Sequence, residues 1–241
     1  MYIISSTLFE HNNFLKSPYF FQEDQVWQTG LARFDRLINN DKKKIMISFT
    51  WQDSLAPYNN PTTEMFLNSD YYKSMLEILE NKKIFNCACK NGYQICVKLH
   101  PMMSNFIETF EVPEYVCIWD KDYNTMFAEC SLLVTDHSSI TSDFAMLKKP
   151  VIYYQSDKEN MDDHVWSIGD YSYEEQGYGE VVNNIIDLEN LVCEYIENGC
   201  QLKEKYEKRI ESSFFYIDHN NCERIYKKTK KMIEENNNRF N

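Results

Sequence analysis

Residues 130–154 read CSLLVTDHSSITSDFAMLKKPVIYY, and this stretch passes from apolar run to small polar turn to helical pattern to a second apolar run. Leu132, Leu133 and Val134 suit a strand buried on both faces, and the polar residues Thr135, Asp136, His137, Ser138 and Ser139 mark where it stops. Ile140, Phe144 and Leu147 then recur at helical spacing. Ser138 or Ser139 is placed to cap that helix, Lys148 and Lys149 to close it with positive charge, and Pro150 to break it. Val151–Tyr154 is the expected next strand. In an open parallel sheet, ligands collect where strands hand the chain to helix N-termini, and hydroxyls with free backbone N–H groups suit a phosphate there. Ser138 and Ser139 are therefore candidate phosphate ligands. The same serines also suit a purely structural cap, and spacing alone does not choose.

Upstream, Lys44–Phe49 (KIMISF) predicts a strand that ends at Thr50 and Trp51, and residues 64–81 predict a helix with Met65, Tyr72, Met75, Leu76 and Leu79 on one face. Tyr93–Leu99 (YQICVKL) is a further strand, delivering His100 and Pro101 to the same sheet edge as Ser138. A strand at Tyr115–Ile118 and a helix over Asp122–Glu129 lead into the opening stretch. This alternation predicts an α/β fold, a Rossmann-like parallel sheet flanked by helices. Downstream lies a long polar loop, Asp157–Glu180, holding His164, Trp166, Gly169, Gly177 and Gly179; loops of that length are often functional. Val181 and Val182 suit a short strand, Asp187–Asn198 a helix stopped by Gly199, and Gln201–Glu211 and Asn221–Glu235 two charged terminal helices. Residues 1–40 read as the remnant of an interdomain segment, 41–200 as the Rossmann-like domain and 201–241 as C-terminal helices.

The 241 residues are 43% apolar and 15% aromatic, enough to fill a core. A net charge of −12 and a pI near 4.9 argue against a nucleic-acid partner, while leaving room for a phosphorylated small ligand. No apolar run is long enough to span a membrane, and Met1-Tyr2-Ile3-Ile4 does not begin a signal peptide. The eight cysteines are scattered, with only Cys87 and Cys89 close and no histidine beside them; they read as reduced thiols of a cytoplasmic protein rather than metal ligands. Neither GxGxxG nor a Walker motif is present.

Five segments in order carry a resemblance: Thr29-Gly30-Leu31-Ala32-Arg33-Phe34-Asp35, Ser48-Phe49-Thr50-Trp51, Lys98-Leu99-His100-Pro101, Val134-Thr135-Asp136-His137-Ser138-Ser139 and Asp143-Phe144. From about Thr29 to Tyr226 the chain resembles the C-terminal half of the CDP-glycerol glycerophosphotransferases, enzymes that build teichoic acids and related capsule polymers. The resemblance implies the C-terminal domain of a GT-B fold, with Ser138 and Ser139 on the pyrophosphate and Asp136 in the same nucleotide-binding turn. It also implies His100 beside the transferred phosphoryl group and Asp143 on the ribose hydroxyls, with Arg33 as a forked cation and Thr50 as a further hydroxyl. Each polar contact to developing charge in such a site contributes about 3–4 kcal/mol. The donor implied is a CDP-polyol, most simply CDP-glycerol, and the acceptor a cell-surface glycan or its lipid-linked precursor. No metal and no cofactor are implied, and the acceptor half would come from a preceding domain or a partner chain. A lipid-linked acceptor would suit peripheral attachment at the inner face of the membrane.

The sequence departs from that pattern in three places: Ala32 stands where the family has Pro, His137 where it has Tyr, and Ile168 where it has Arg. Two other functions fit the same sheet. One is a GT-B glycosyltransferase using a nucleotide sugar, the other a catalytically incomplete nucleotide-binding module.

Overall fold

A computed structural model describes residues 1–156 and 171–239. The chain divides into two compact units, residues 1–38 with 207–241 and residues 39–206. The expected division had set the two ends apart as remnant and terminal helices, whereas here both contribute to one unit.

In that unit a parallel pair, β1 (Ile3–Ser5) and β2 (Val26–Gln28), brackets helix α1 (Leu8–Phe14). Thr7 and Glu10 start α1 with a reciprocal capping box, which explains a helix where the sequence showed no clear period.

The larger unit is built on six parallel strands. β3 (Lys44–Ile47) is followed by α2 (Thr63–Asn68), α3 (Asp70–Leu79) and α4 (Lys82–Lys90), then β4 (Gln94–Val97) and β5 (Cys117–Ile118). Helix α5 (Tyr123–Glu129) leads to β6 (Cys130–Thr135), α6 (Thr141–Met146) and β7 (Val151–Tyr154). After α7 (Tyr173–Gln176) come β8 (Glu180–Val182) and α8 (Ile185–Glu197). The order across the sheet is β5-β4-β3-β6-β7-β8, so the chain winds outward in both directions from the β3/β6 pair. That junction is the switch point at which doubly wound sheets bind ligands, and the Rossmann-like expectation holds.

Strand period decides the two faces. Ile45, Ile47, Ile95, Val97, Leu132, Val134, Ile152 and Tyr154 join Met75, Ile78 and Leu79 of α3, Ile84 of α4, and Leu188, Val192 and Tyr195 of α8 in one core cluster. Met46, Cys96, Leu133 and Tyr153 point the other way and are buried as well. Each fully buried aliphatic side chain contributes about 1.5–3 kcal/mol, which is why β3, β6 and β7 read as unbroken apolar runs.

The single helix expected over 64–81 is broken at Ser69. Its N–H donates to Phe66 O, ending α2, and its Oγ accepts from Tyr72 N, starting α3. The break turns Met65 outward, 46% exposed, and lets Phe66 stack on Phe106 with ring centroids 4.3 Å apart.

Lys149 likewise does something other than close α6. Its buried Nζ donates to Phe127 O, Ala128 O and Cys130 O at 2.7, 2.8 and 2.7 Å, satisfying carbonyls at the end of α5.

The unit boundary falls within α9 (Glu204–Ser213), and α10 (Asn221–Arg239) completes the smaller unit. Asp35 caps α10: its carboxylate accepts from Asn221 N, Asn221 Nδ2 and Cys222 N at 2.9, 2.7 and 2.7 Å. Gly30, at φ +74°, lies so close that an added Cβ would sit 2.0 Å from Asn221 Oδ1. Among the described residues no helix is long and apolar enough to cross a membrane.

Candidate functional site

Strands β4, β3 and β6 are neighbours, so the loops leaving their C-terminal ends stand side by side at spacings of about 4.8 Å per strand. They carry His100, Thr50 with Trp51, and the turn from Asp136 to Ser139.

Two buried bridges lock the central pair. Thr135 Oγ1 donates to Ser48 O at 2.6 Å, and Thr50 N–H donates to both carboxylate oxygens of Asp136 at 2.8 and 2.9 Å. Asp136 is 4% exposed. Burial pushes its pKa up, the neighbouring His137 and the Thr50 amide pull it down, and the net shift is upward. Both oxygens being engaged by the protein, Asp136 shapes the turn in which it was expected to contact nucleotide. Thr50 is itself buried, and its Oγ1 finds no hydrogen-bond partner among the described residues. A buried hydroxyl without a partner costs about 1–3 kcal/mol.

Ser138 is half-buried and Ser139 exposed at the sheet edge. The expected Ser cap on α6 is replaced by a looser arrangement. Ile140 occupies the capping position without a side-chain bond, Ser138 Oγ accepts from Ile140 N at a long 3.4 Å, and Thr141 Oγ1 donates to Ser138 O at 3.1 Å. The Ser139 hydroxyl is thus not consumed by capping. At six residues α6 has little macrodipole, so hydroxyls and individual N–H groups must carry any anion binding. Asp143 sits buried in the first turn of α6, at 2% exposure, one turn inward from Ser139.

His100 caps the 3-10 helix Pro101–Phe106, its Nδ1 accepting from Met102 N at 3.2 Å. An accepting Nδ1 puts the imidazole proton on Nε2, and burial holds the ring's pKa below the ordinary histidine value, so the neutral ring offers one N–H. Its ring lies nearly parallel to Trp51, at 24° and 6.1 Å between centroids.

Arg33 belongs to the smaller unit, in the 3-10 helix Ala32–Arg36, with its guanidinium 5.0 Å from the centre of the Phe34 ring.

Two residues of the edge, Gln155 and Tyr173, are not singled out by the sequence pattern. Gln155 Nε2 lies 3.2 Å from His137 Nδ1, the Tyr173 hydroxyl donates to His137 O at 3.1 Å, and the Tyr173 ring packs on Tyr153 at 4.9 Å. His137, read only as a departure from Tyr, is 5% exposed and forms the inner wall of the turn. The one available signal was the aromatic density Tyr171-Ser172-Tyr173 at the end of the long loop. His164, Trp166, Ile168 and Gly169 of that loop lie outside the described residues.

Comparison with known proteins agrees with this architecture. Residues 2–231 match the family described as CDP-Glycerol:Poly(glycerophosphate) glycerophosphotransferase. The minor teichoic acid biosynthesis protein GgaB of Bacillus subtilis (strain 168) is 30% identical over 233 residues, covering 93% of this chain and 25% of GgaB. The wall teichoic acid polymerase TagF superposes with a TM-score of 0.67 at 20% identity, over 98% of this chain and 59% of TagF. The UDP-GlcNAc 2-epimerase of Methanocaldococcus jannaschii superposes at 0.50 with 16% identity, over 87% and 59% of the two chains. These two likenesses show the fold, and the chain spans about a quarter of GgaB and under two thirds of TagF. With nearly its whole length matched, the chain belongs to the CDP-glycerol:poly(glycerophosphate) glycerophosphotransferase family.

Proposed function

We propose that this chain is the donor-binding part of a transferase that takes a CDP-activated polyol phosphate, CDP-glycerol first among them. The phosphopolyol passes to a hydroxyl of a cell-surface glycan or its lipid-linked precursor, in teichoic acid or capsule polymer synthesis. The observation that carries this reading is the row of three loops on adjacent strand ends: His100 with Nε2–H, Thr50 with a buried unpartnered hydroxyl, and Ser138 with Ser139. A diphosphate laid across the β3/β6 junction would accept from the serine hydroxyls and Thr50 while His100 donates to a phosphate oxygen as charge develops on the leaving CMP. Asp143 would accept from ribose hydroxyls. In-line attack at phosphorus needs no covalent intermediate, so the residues' work is to position and to stabilise charge.

The family match supports the reading, as does the naming of related proteins: GgaB as a teichoic acid biosynthesis protein, and a TagF structure obtained after a CDPG soak. The acceptor site, the base that activates the acceptor, and any peripheral attachment at the cytoplasmic face of the membrane are assigned to a further domain or a partner chain. A nucleotide-sugar transferase remains the second reading, favoured by the fold shared with a protein solved in complex with UDP-GlcNAc and UDP.

Calorimetry with CDP-glycerol, CDP-ribitol, CMP and a UDP-sugar, on the native chain and on the Ser138→Ala/Ser139→Ala double variant, separates these readings. The expected result is selective CDP-polyol binding, weakened about tenfold or more in the variant by loss of two hydrogen bonds. Retention of a UDP-sugar with indifference to CDP-glycerol would decide for the second reading. Donor binding without turnover, even beside a candidate acceptor domain, would leave a nucleotide-binding module.

A further inference from the structure

Among the described residues, the His100 ring takes one hydrogen bond, from Met102 N at 3.2 Å. A single acceptor contact fixes which nitrogen carries the proton and leaves the ring free to tilt. The second restraint comes from the neighbouring strand: Trp51 presents its indole nearly parallel to the imidazole, and the Tyr58 ring meets Trp51 edge-on at 88° and 6.3 Å. Tyr58 is 57% exposed and would not hold a position by burial. It is tied instead through its hydroxyl, which donates to the Asp53 carboxylate, while Asn59 Nδ2 donates to Asp53 O at 2.7 Å. At the other end, Trp51 directly follows Thr50, whose amide is gripped by Asp136 in the turn before Ser138. A run of contacts thus joins the serine turn on β6 to the imidazole on β4 by way of the loop after β3.

We infer that Trp51 is a positioning residue: its indole face, braced by Tyr58 and anchored through Thr50 to Asp136, holds the His100 imidazole so that Nε2–H stands at the sheet edge in register with the serine turn. This inference rests on the proposed donor reading for its purpose, though the geometry does not depend on it. Offset aromatic faces attract one another, and a large flat side chain also keeps water from one side of the imidazole. The low pKa of His100 fits that picture, with burial as its cause. Titratable groups on the elements around it include Asp53 and Tyr58 on the loop after β3, Tyr71 on α3, whose hydroxyl lies near the His100 backbone, Lys98, whose Nζ donates to Lys121 O, and Asp136 and His137 on the turn after β6.

The test is histidine side-chain NMR of the full chain, read as the tautomer and titration of His100, on the native protein and on Trp51→Leu, Trp51→Phe and Tyr58→Phe, with CDP-glycerol calorimetry in parallel. Native His100 is expected as the Nε2–H tautomer with a depressed pKa. Trp51→Leu should admit the second tautomer, move the titration up toward the ordinary histidine value, and weaken CDP-glycerol about tenfold through one lost hydrogen bond. Trp51→Phe, which keeps an aromatic face, should restore most of both, and Tyr58→Phe should give a smaller change in the same direction. A packing role alone would lower the melting temperature and leave the His100 signals where they were; that result in folded Trp51→Leu overturns the inference. Should Trp51→Leu not fold, Trp51→Met, which also removes the aromatic face, takes its place, and unchanged His100 signals in folded Trp51→Met overturn the inference equally. If the native chain binds no cytidine compound, the donor reading fails while the NMR comparison still decides the role of Trp51.

Discussion

Asp136 shows how one buried carboxylate fixes a site it does not have to touch. It replaces water for the Thr50 amide, and that amide has no other described partner. Asp136→Ala should therefore leave a buried N–H unsatisfied and cost about 2–3 kcal/mol, whereas Asp136→Asn retains an acceptor and should cost under about 1 kcal/mol. Urea denaturation of the two variants checks the difference. The pH dependence carries a sign as well. With its pKa raised in the folded chain, chiefly by burial, Asp136 holds its proton at pH values where the unfolded chain has released it. Its contribution to stability is then fully present below the unfolded value near 3.8 and declines as pH rises through the folded value. Denaturation profiles of Asp136→Asn should lack that decline.

At the scale of elements, the first motif of the resemblance, Thr29 to Asp35, has its clearest structural task in starting α10. Asp35 supplies the acceptor for the first amides of that helix, and Gly30 gives the backbone room beside Asn221. Arg224, one turn along, donates through Nε to Thr29 O at 3.0 Å and pairs with Asp218, whose carboxyl it holds at about 2, a pairing discounted for its partial exposure. Asp35→Ala should cost about 1–2 kcal/mol and speed amide exchange in the first turn of α10. Gly30→Ala should cost about 2 kcal/mol or more, since it adds positive-φ strain to a steric clash that Asn221 must move to relieve. Burial raises the pKa of Asp35, but hydrogen bonds from Cys222 and Asn221 outweigh it, so the net value is lowered. The cap's contribution is accordingly present above pH 3.8 and lost on acidification below it, which exchange rates at pH 3 and pH 6 would show.

For the molecule as a whole, a net charge of −12 is a poor setting for the anionic donor proposed, and the proposed site offers hydroxyls, backbone N–H groups and a neutral imidazole rather than cations. A site built from lysines and arginines loses affinity as salt screens it. Here screening should mainly relieve general repulsion. CDP-glycerol affinity is expected to hold or rise by up to about threefold as ionic strength goes from about 0.05 to 0.3 M. Calorimetry across that range checks it, and a steep loss with salt would show that cationic side chains dominate binding.

The sequence alone determined the larger outline. Runs such as Leu132–Val134 and Val151–Tyr154 suit strands buried on both faces, and their alternation with helical periods predicts a parallel sheet. It also placed His100, Thr50, Ser138 and Ser139 at one edge, because a strand's end is a local property of its chain. What only the tertiary structure decided is what each polar group reaches. Lys149 serves the carbonyls of α5 rather than its own helix, Ser69 divides a continuous helical pattern, Asp136 meets an amide 86 residues away and Asp35 one 186 away. Tyr173 and Gln155 close on His137 from the start of α7 and a strand end. Periodicity reports which side of an element is buried, a quantity summed over many residues. A hydrogen bond depends on a few tenths of an ångström between two groups, and that distance exists only once the order of strands has brought their ends together.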